Sequence, residues 1–201
     1  LTCPLVRDGP QEKARYYSKL GYTVVVVGSK KNHPEVLGIL SRAEVPDEER
    51  GGIFYSGPGD VSREDFTGKD VAVIAQTTAE KAVYDQVLSS IVEIGMQESF
   101  SVMEVNTICK PTLQRQAEVP ELAMWSDVMI VVGGLGSANT THLAEICERI
   151  TGEGYTHHIE NVGGLQRDWF EPDYKVGIMG GASTPQISID DVVETIKGYE
   201  L

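Results

Sequence analysis

The hydrophobic residues of the chain fall mostly into short, continuous runs of Val and Ile. Seven such segments predict β-strands: Thr23–Val27, Ile53–Tyr55, Val71–Ala75, Phe100–Met103, Val128–Val132, Thr156–Ile159 and Val176–Met179. Several of these segments are apolar at every position, which is typical of parallel strands whose two faces are both covered by helices. The pattern therefore predicts parallel rather than antiparallel sheets.

Longer segments of mixed polarity lie between the strands and predict helices: Pro10–Leu20, Pro34–Ser41, Thr78–Ile94, Thr112–Trp125, Thr140–Ile150 and Pro185–Lys197. Three of them begin with proline, which the first turn of a helix tolerates because its N–H would be unpaired there anyway. The regular alternation of strand and helix predicts an α/β fold built from parallel units.

The spacing of chemically similar residues indicates an internal repeat. Cys3 lies 74 residues before Thr77, and Cys109 lies 74 residues before Ser183. Both hydroxyl residues follow a predicted strand and precede a predicted helix, so the two halves of the chain share one order of elements. We therefore expect two repeated α/β modules with small parallel sheets. The predicted modules are residues 1–100 and residues 101–201.

The composition excludes some classes of function. Seventeen Lys and Arg residues stand against 30 Asp and Glu residues, which gives a formal net charge of −13. A nucleic-acid partner is not expected, since phosphate backbones are bound by basic surfaces. A membrane span is not expected either, because apolar runs such as Val24–Val27 are far too short to cross a membrane. Three scattered cysteines do not form a disulfide scaffold, so a reducing cytoplasm is the expected location.

Hydroxyl side chains mark three turns between a strand and a helix, at Thr77, Ser137 and Ser183. Such turns lie at the carboxyl ends of parallel strands, where ligands usually bind, and helix N–H groups there favour anions. Simple helix capping is the alternative, and Thr77-x-x-Glu80 has the sequence of a capping box. The glycines of Gly133–Ser137 give only a weak match to a dinucleotide-binding fingerprint.

Other candidates are His33 and Glu35, which flank Pro34 after a Val-rich strand. A solvated or capping role is open for both, and a phosphate-binding imidazole and a proton-transferring carboxylate are the functional alternative. His142, His157 and His158 have no partners at ligand spacing and receive no role.

Two cysteines are candidate metal ligands. Cys3 and Cys109 each lie in a loop that enters a helix, a setting that favours the thiolate. Two thiolates are too few for a usual zinc or iron–sulfur site, so a further ligand from another module is expected. Cys147 lies inside a predicted helix and is expected to be buried and inert.

The ordered set of motifs resembles the LytB (IspH) family of 4-hydroxy-3-methylbut-2-enyl diphosphate reductases along essentially the whole chain. The matching segments are Thr2–Val6, His33–Val36, Gln76–Thr78, the Cys109 segment with Arg115-Gln116, Ser137–Thr140 and Gly181–Pro185. The resemblance implies three α/β modules in a pseudo-threefold arrangement around a [4Fe-4S] cluster, with one cysteine from each module. The chain would then lack the N-terminal module, which agrees with its start at Leu1 rather than at Met.

The resemblance also implies roles for individual residues. Cys3 and Cys109 would be two of the three cluster ligands. Glu35 would relay protons, with Thr77 beside the substrate hydroxyl. The implied diphosphate-binding residues are His33, Ser137, Asn139 and Ser183, and Thr112 would line the same cavity.

The implied reaction removes an allylic hydroxyl from an allylic diphosphate and yields isopentenyl and dimethylallyl diphosphate, with electrons from a donor such as ferredoxin or flavodoxin. Two departures from the family pattern are Ala138, where a second Ser is common, and Lys110-Pro111 after the cysteine. The alternatives are a cluster-free module of the same fold that binds a diphosphate or nucleotide, and a structural protein with incidental cysteines.

Overall fold

The computed structural model describes residues 6–43, 52–66 and 68–199. Contacts divide the chain into two compact units, unit 1 from Leu1 to Cys109 and unit 2 from Lys110 to Leu201. Each unit has its own parallel sheet covered by helices. The predicted α/β class with two small parallel sheets is therefore confirmed. Cys3 lies outside the described residues.

Unit 1 contains a four-stranded sheet in the order β2-β1-β3-β4, in which every neighbouring pair is parallel. Its helices and strands are α1 (Glu12–Lys19), β1 (Thr23–Val27), α2 (Pro34–Leu40), β2 (Ile53–Tyr55), β3 (Val71–Ala75), α3 (Lys81–Glu98) and β4 (Val102–Val105). In the register, Val27 at the end of β1 stands opposite Ala75 on β3 and Tyr55 on β2. The loops that follow these three strands consequently leave from one edge of the sheet.

Unit 2 contains a three-stranded parallel sheet in the order β6-β5-β7. Its helices and strands are α4 (Lys110–Trp125), β5 (Val128–Val132), α5 (Ala138–Thr151), β6 (Thr156–Ile159), β7 (Val176–Gly180) and α6 (Gln186–Lys197). Val132 at the end of β5 stands opposite Ile159 and Gly180. The strand order β6-β5-β7 repeats the order β2-β1-β3 of unit 1.

The central strands form the cores of both units. Every residue of β3 and of β5 is buried, because helices cover both faces of each sheet. On one face of β5, Met129 and Val131 pack against Val119 and Leu143 from two helices. Each fully buried Val, Leu, Ile or Met side chain of this kind contributes roughly 1.5–3 kcal/mol relative to an exposed one.

The strand order creates a switch point in each sheet. After β1 the chain adds β2 on one side and then β3 on the other, and β5, β6 and β7 repeat this arrangement. The loops after the two strands at a switch point diverge and leave a crevice at their carboxyl ends, which is where open parallel sheets bind ligands. Several predicted site residues lie in these loops or in the first turn of the following helix: His33 and Glu35 after β1, Thr77 after β3, Ser137 and Asn139 after β5, and Ser183 after β7.

Several element boundaries differ from those predicted. Helix α3 begins at Lys81 rather than Thr78, and β4 covers Val102–Val105 rather than Phe100–Met103. The register of β4 is set by pairing with β3, in which Val71 stands opposite Val102. This pairing places β4 in the sheet of unit 1, while the predicted modules 1–100 and 101–201 stay a prediction. Among the described residues, no helix combines the length and apolar character needed to cross a membrane.

Candidate functional site

A carboxylate and a hydroxyl meet at the switch point of unit 1. Glu35 lies in the first turn of α2, and Thr77 follows β3. The Thr77 N–H donates to Oε1 of Glu35 at 2.6 Å, and the Thr77 hydroxyl donates to Oε2 at 3.0 Å. Because both oxygens of Glu35 accept hydrogen bonds from one residue, this geometry places the Glu35 carboxyl group next to a hydroxyl that can exchange a proton with it.

This contact argues against the helix-capping alternative for Thr77. Its hydroxyl bonds to Glu35, the N-cap of α3 is Glu80, and no side-chain capping bond is present there. The capping-box interpretation of Thr77-x-x-Glu80 was therefore wrong. Since the turn at Thr77 is held by Glu35 from another element, the helix begins three residues later than its sequence suggests.

The loop that carries Cys109 is fastened to the same turn. The backbone N–H of Cys109 donates to the carbonyl oxygen of Thr77 at 2.9 Å. Two residues earlier, the hydroxyl of Thr107 donates to the carbonyl of Ala75 at the end of β3. Cys109 itself is partly exposed. Thr77 thus connects the candidate proton-transfer carboxylate to the loop of the candidate metal ligand.

His33 is the N-cap of α2. Its Nδ1 accepts a hydrogen bond from the Glu35 N–H at 3.2 Å, so the capping alternative for His33 is present in the structure. Its Nδ1 also lies 3.3 Å from Nε2 of Gln76, a side chain that is completely buried. Gln76 belongs to a matching segment but received no role, because nothing in the sequence shows which groups its amide would contact.

In unit 2, the N-terminus of α5 brings Ser137 and Asn139 together. Ser137 caps the helix, and its oxygen accepts from the Thr140 N–H at 3.4 Å and from the Thr140 hydroxyl at 3.0 Å. The Asn139 side chain is only 6% exposed, and neither its amide nitrogen nor its amide oxygen has a hydrogen-bond partner among the described residues. A buried amide without partners is costly, so a group that supplied its hydrogen bonds would be favoured at this position.

The turn before this helix is constrained by its neighbours. Gly133 has a φ of +148°, and a Cβ atom there would lie 2.7 Å from Oγ1 of Thr184, so only glycine fits. Strand β6 holds the same turn from the other side. Nε2 of His158 lies 3.0 Å from the Gly133 carbonyl oxygen, and Glu160 accepts from the Leu135 N–H at 3.3 Å. His158, which had no assigned role, therefore helps to position the turn that leads to Ser137.

The remaining predicted site residues lie in different settings. Ser183 is exposed in the loop after β7, and Thr112 is buried in the first turn of α4. Cys147 is fully buried in α5, as expected, and its burial raises the pKa of the thiol to about 11.

The metal-binding prediction is only partly addressed by the described residues. They contain no group of three or more His, Cys, Asp or Glu side chains placed to hold a metal ion. Cys109 is a sulfur donor of the kind that iron–sulfur clusters use, in a partly exposed loop anchored to β3, so it fits as one ligand of several.

The fold and the two switch-point sites define an α/β protein of repeated small parallel sheets, with a carboxylate–hydroxyl pair in one unit and a buried Asn139 amide, unpartnered among the described residues, at a helix start in the other. The sequence model of the LytB protein family matches residues 1–197. The chain therefore belongs to the LytB family.

Individual relatives agree with this assignment. The chain is 40% identical over 199 residues to a 4-hydroxy-3-methylbut-2-enyl diphosphate reductase of Geobacter sulfurreducens, covering 99% of this chain and 66% of the relative. It is 41% identical over 198 residues to the reductase of the same name from Anaeromyxobacter, covering 98% of this chain and 63% of the relative. The chain thus spans about two thirds of the length of these relatives.

Solved structures show similarity of fold. The structure of an (E)-4-hydroxy-3-methyl-but-2-enyl diphosphate reductase is 36% identical, with a TM-score of 0.53, and the match covers 98% of this chain and 66% of that one. The reductase structure from Plasmodium falciparum has a TM-score of 0.81 at 20% identity, covering 99% of this chain and 59% of that one. The latter similarity shows the fold alone.

Proposed function

We propose that this chain carries the proton-transfer and diphosphate-binding residues of a reductase that converts 4-hydroxy-3-methylbut-2-enyl diphosphate to isopentenyl and dimethylallyl diphosphate. The observation that carries the proposal is the bonding of Thr77, which contacts the Glu35 carboxylate through its N–H and hydroxyl and the Cys109 loop through its carbonyl. The candidate proton-transfer residue Glu35 and the loop of the candidate metal ligand Cys109 are therefore both hydrogen-bonded to Thr77. Relatives with the name of this reductase support the choice of substrate.

The reaction requires two electrons and two protons for each substrate molecule. The carbon–oxygen bond of the allylic hydroxyl breaks, the oxygen leaves as water with one proton, and the second proton is added to the allylic carbon skeleton. In this proposal Glu35 delivers a proton through the Thr77 hydroxyl to the leaving oxygen. The two hydrogen bonds from Thr77 orient the carboxylate for this transfer, as general acid–base catalysis requires.

The diphosphate would be bound mainly by neutral donors. Asn139 offers a buried amide without partners, and Ser137 has an oxygen that already accepts two hydrogen bonds, which leaves its own proton to donate. Backbone N–H groups in the first turn of α5 add a favourable partial positive charge. His33, Ser183 and Thr112 complete the proposed set, and Ala138 supplies no hydroxyl.

Cys3 and Cys109 are the proposed thiolate ligands of a [4Fe-4S] cluster, with at least one further ligand from elsewhere. The cluster, when bound, would pass the two electrons from an external donor to the substrate. A ferredoxin or flavodoxin is the proposed electron donor, and the cytoplasm the proposed location, since free thiolates persist in a reducing compartment.

The test uses the full-length protein, purified anaerobically and supplied with iron and sulfide. With a chemical reductant and 4-hydroxy-3-methylbut-2-enyl diphosphate, both isoprenoid diphosphates should form and be detected by mass spectrometry. Absence of both products from a protein with its full content of iron would refute the proposed reaction.

The second candidate function is a cluster-free module that binds a diphosphate. The Asn139 amide, unpartnered among the described residues, favours it, because an amide N–H can bind an anion without any metal. Calorimetric titration of the chain with inorganic diphosphate, with and without iron, separates the two functions. Binding of diphosphate by a protein that never acquires iron would favour the second candidate.

A further inference from the structure

The orientation of the Gln76 amide is fixed by its neighbours at the switch point of unit 1. Its Oε1 accepts from the backbone N–H of Ser29 at 2.9 Å and lies 3.2 Å from the Ser29 hydroxyl. A backbone N–H can only donate, so the atom facing it must be the amide oxygen and not the nitrogen. The usual ambiguity between the two amide orientations is therefore resolved by chemistry at this position.

This orientation determines the proton position on His33. With its oxygen on Ser29, Gln76 presents Nε2 to Nδ1 of His33 at 3.3 Å and to Oγ1 of Thr78 at 3.0 Å. Nδ1 of His33 also receives the Glu35 N–H at 3.2 Å. Two groups that can only donate converge on Nδ1, so this nitrogen must be an acceptor. In the neutral imidazole the proton then lies on Nε2.

We propose that Gln76 is a positioning residue that holds His33 as the neutral Nε2–H tautomer, ready to donate one hydrogen bond to a phosphate oxygen. The inference rests on the proposed function for the identity of that acceptor. Within the described part of the chain, Nε2 of His33 has no hydrogen-bond partner, so its proton is available to a ligand. Gln76 itself acts through His33 and does not contact the substrate.

The packing around Gln76 favours this orientation of its amide group. The side chain is completely buried, and its oxygen and nitrogen each contact two partners. A Cβ atom on Gly28 would lie 2.6 Å from Oε1 of Gln76, so the amide fits only beside a glycine. Since an unsatisfied buried amide is costly, the network resists any rotation that would present the oxygen to His33.

The tautomer can be measured directly. In the 201-residue chain labelled with ¹⁵N-histidine, long-range ¹H–¹⁵N spectra at about pH 8 distinguish protonated from unprotonated ring nitrogens for all four histidines. His33→Asn identifies the His33 signals by their loss. The expected result is an unprotonated Nδ1 and a protonated Nε2 in His33. A protonated Nδ1 in the wild-type chain would overturn the proposal.

Gln76→Glu tests the part played by Gln76. An ionised carboxylate accepts but does not donate, so the oxygen facing Nδ1 should draw a proton onto that nitrogen. Gln86→Glu, the same change on the exposed face of α3, should leave the His33 signals unchanged. If Gln76→Glu folds with the wild-type pattern, Gln76 does not set the tautomer.

A measurement on the wild-type chain covers the case in which the variant fails to fold. With the Gln76 amide also labelled, a scalar coupling between its Nε2 and Nδ1 of His33 is expected across the hydrogen bond. Its absence would contradict the proposed contact.

Binding of inorganic diphosphate tests the consequence for the ligand. His33→Gln places an amide N–H near the position of the imidazole Nε2–H and should bind within about threefold of wild type. His33→Asn mimics only Nδ1 and should bind about tenfold more weakly, the usual effect of losing one hydrogen bond to a charged group. Equal losses in both variants would refute the Nε2 donor. If the wild-type chain binds no diphosphate, the proposed function fails, while the tautomer experiments decide the role of Gln76 separately.

Discussion

At the scale of single residues, the hydrogen-bonded Glu35–Thr77 pair has the geometry that relates most directly to a proposed role in proton transfer. We predict that Glu35→Gln lowers kcat by roughly 10²–10⁴-fold, the usual contribution of a group that transfers a proton. The glutamine oxygen can still accept the Thr77 N–H, and its amide can donate to the Thr77 hydroxyl, so the fold should be retained. Anaerobic kinetics of the full-length protein measure the effect. Iron content should equal that of wild type, and an undiminished kcat would exclude Glu35 as the relay.

We predict that replacing Asn139 changes protein stability and diphosphate binding in opposite directions. Its buried amide lacks partners among the described residues, which costs about 1–3 kcal/mol in the ligand-free protein. Asn139→Leu removes that cost at similar volume and should raise the free energy of unfolding by about 1 kcal/mol, while diphosphate binding is lost. Urea unfolding and calorimetry give the two values. A destabilised variant would show that Asn139 is a structural residue.

The residues of the site were only partly predictable because their roles depend on contacts between separate elements. Hydroxyl and carboxylate residues that follow strands could be identified from the carboxyl-end rule, and Glu35 and Thr77 do meet. The roles of Gln76 and His158 could not, since each acts through a bond to a residue more than 20 positions away. Thr77 also shows that a local motif misleads when a distant side chain competes for the same hydroxyl.

At the scale of elements, the buried strands were the most predictable part of the molecule. Five of the seven strands have the predicted bounds, and the central strands β1, β3 and β5 among them are nearly all apolar because helices cover both faces of each sheet. Helix ends were less predictable, as the late start of α3 shows, because caps are formed by tertiary contacts as well as by local sequence. Strand β4 was misplaced because its register depends on pairing with β3.

The burial of β5 leads to a stability prediction. Ile130 is completely buried between helices and strands of unit 2, so Ile130→Ala should lower the free energy of unfolding by about 2–5 kcal/mol. The matched control is Ile187→Ala on α6, where the side chain is 66% exposed and the change should stay within about 0.5 kcal/mol. Urea unfolding of unit 2 measures both. Equal effects of the two substitutions would contradict the assigned core.

Strand β6 carries a pH-sensitive contact. The ring of His157 stacks on Trp169, with centroids 3.7 Å apart and planes 4° from parallel. Desolvation lowers the pKa of His157 from its ordinary value of 6.5, while the charge of Asp168 opposes this shift. The unfolded chain therefore binds a proton more readily than the folded one. The contribution of His157 to stability is complete above pH 6.5 and is lost as the pH falls through the interval down to the folded pKa.

We therefore predict that His157→Phe, which keeps a stacked ring but cannot be protonated, reduces the loss of stability between pH 7.5 and the acidic end of that interval. Urea midpoints of wild type and variant at both pH values give the comparison. His142→Phe on α5 provides a control on a different element, where the partly buried His142 ring hydrogen-bonds to Glu145. An identical pH dependence in wild type and His157→Phe would exclude this histidine as the cause.

At the scale of the whole molecule, the acidic character limits how an anion can be bound. The formal net charge is −13, and the candidate residues of both units include no Lys or Arg. In the proposed function, amides, hydroxyls, helix N–H groups and the imidazole of His33 would therefore bind the diphosphate, and the placement of these donors by Gln76 and His158 would matter for binding. The strand order β2-β1-β3 of unit 1 is repeated as β6-β5-β7 in unit 2, so each half of the chain has its own set of loops at the carboxyl ends of its strands. The spacing of cysteines and hydroxyl residues in the sequence already predicted this repeat.

The iron content of the full-length protein gives the last prediction. Cys109→Ser and Cys3→Ser should each lower the bound iron and sulfide after anaerobic reconstitution, because an oxygen ligand replaces sulfur in a cluster that prefers thiolates. Cys147→Ala is the matched control. Its thiol is fully buried in α5 with a pKa raised to about 11, so it stays protonated at neutral pH and cannot serve as a ligand. Iron that persists in both serine variants would place the metal elsewhere and leave the Thr77–Cys109 bond as a purely structural contact.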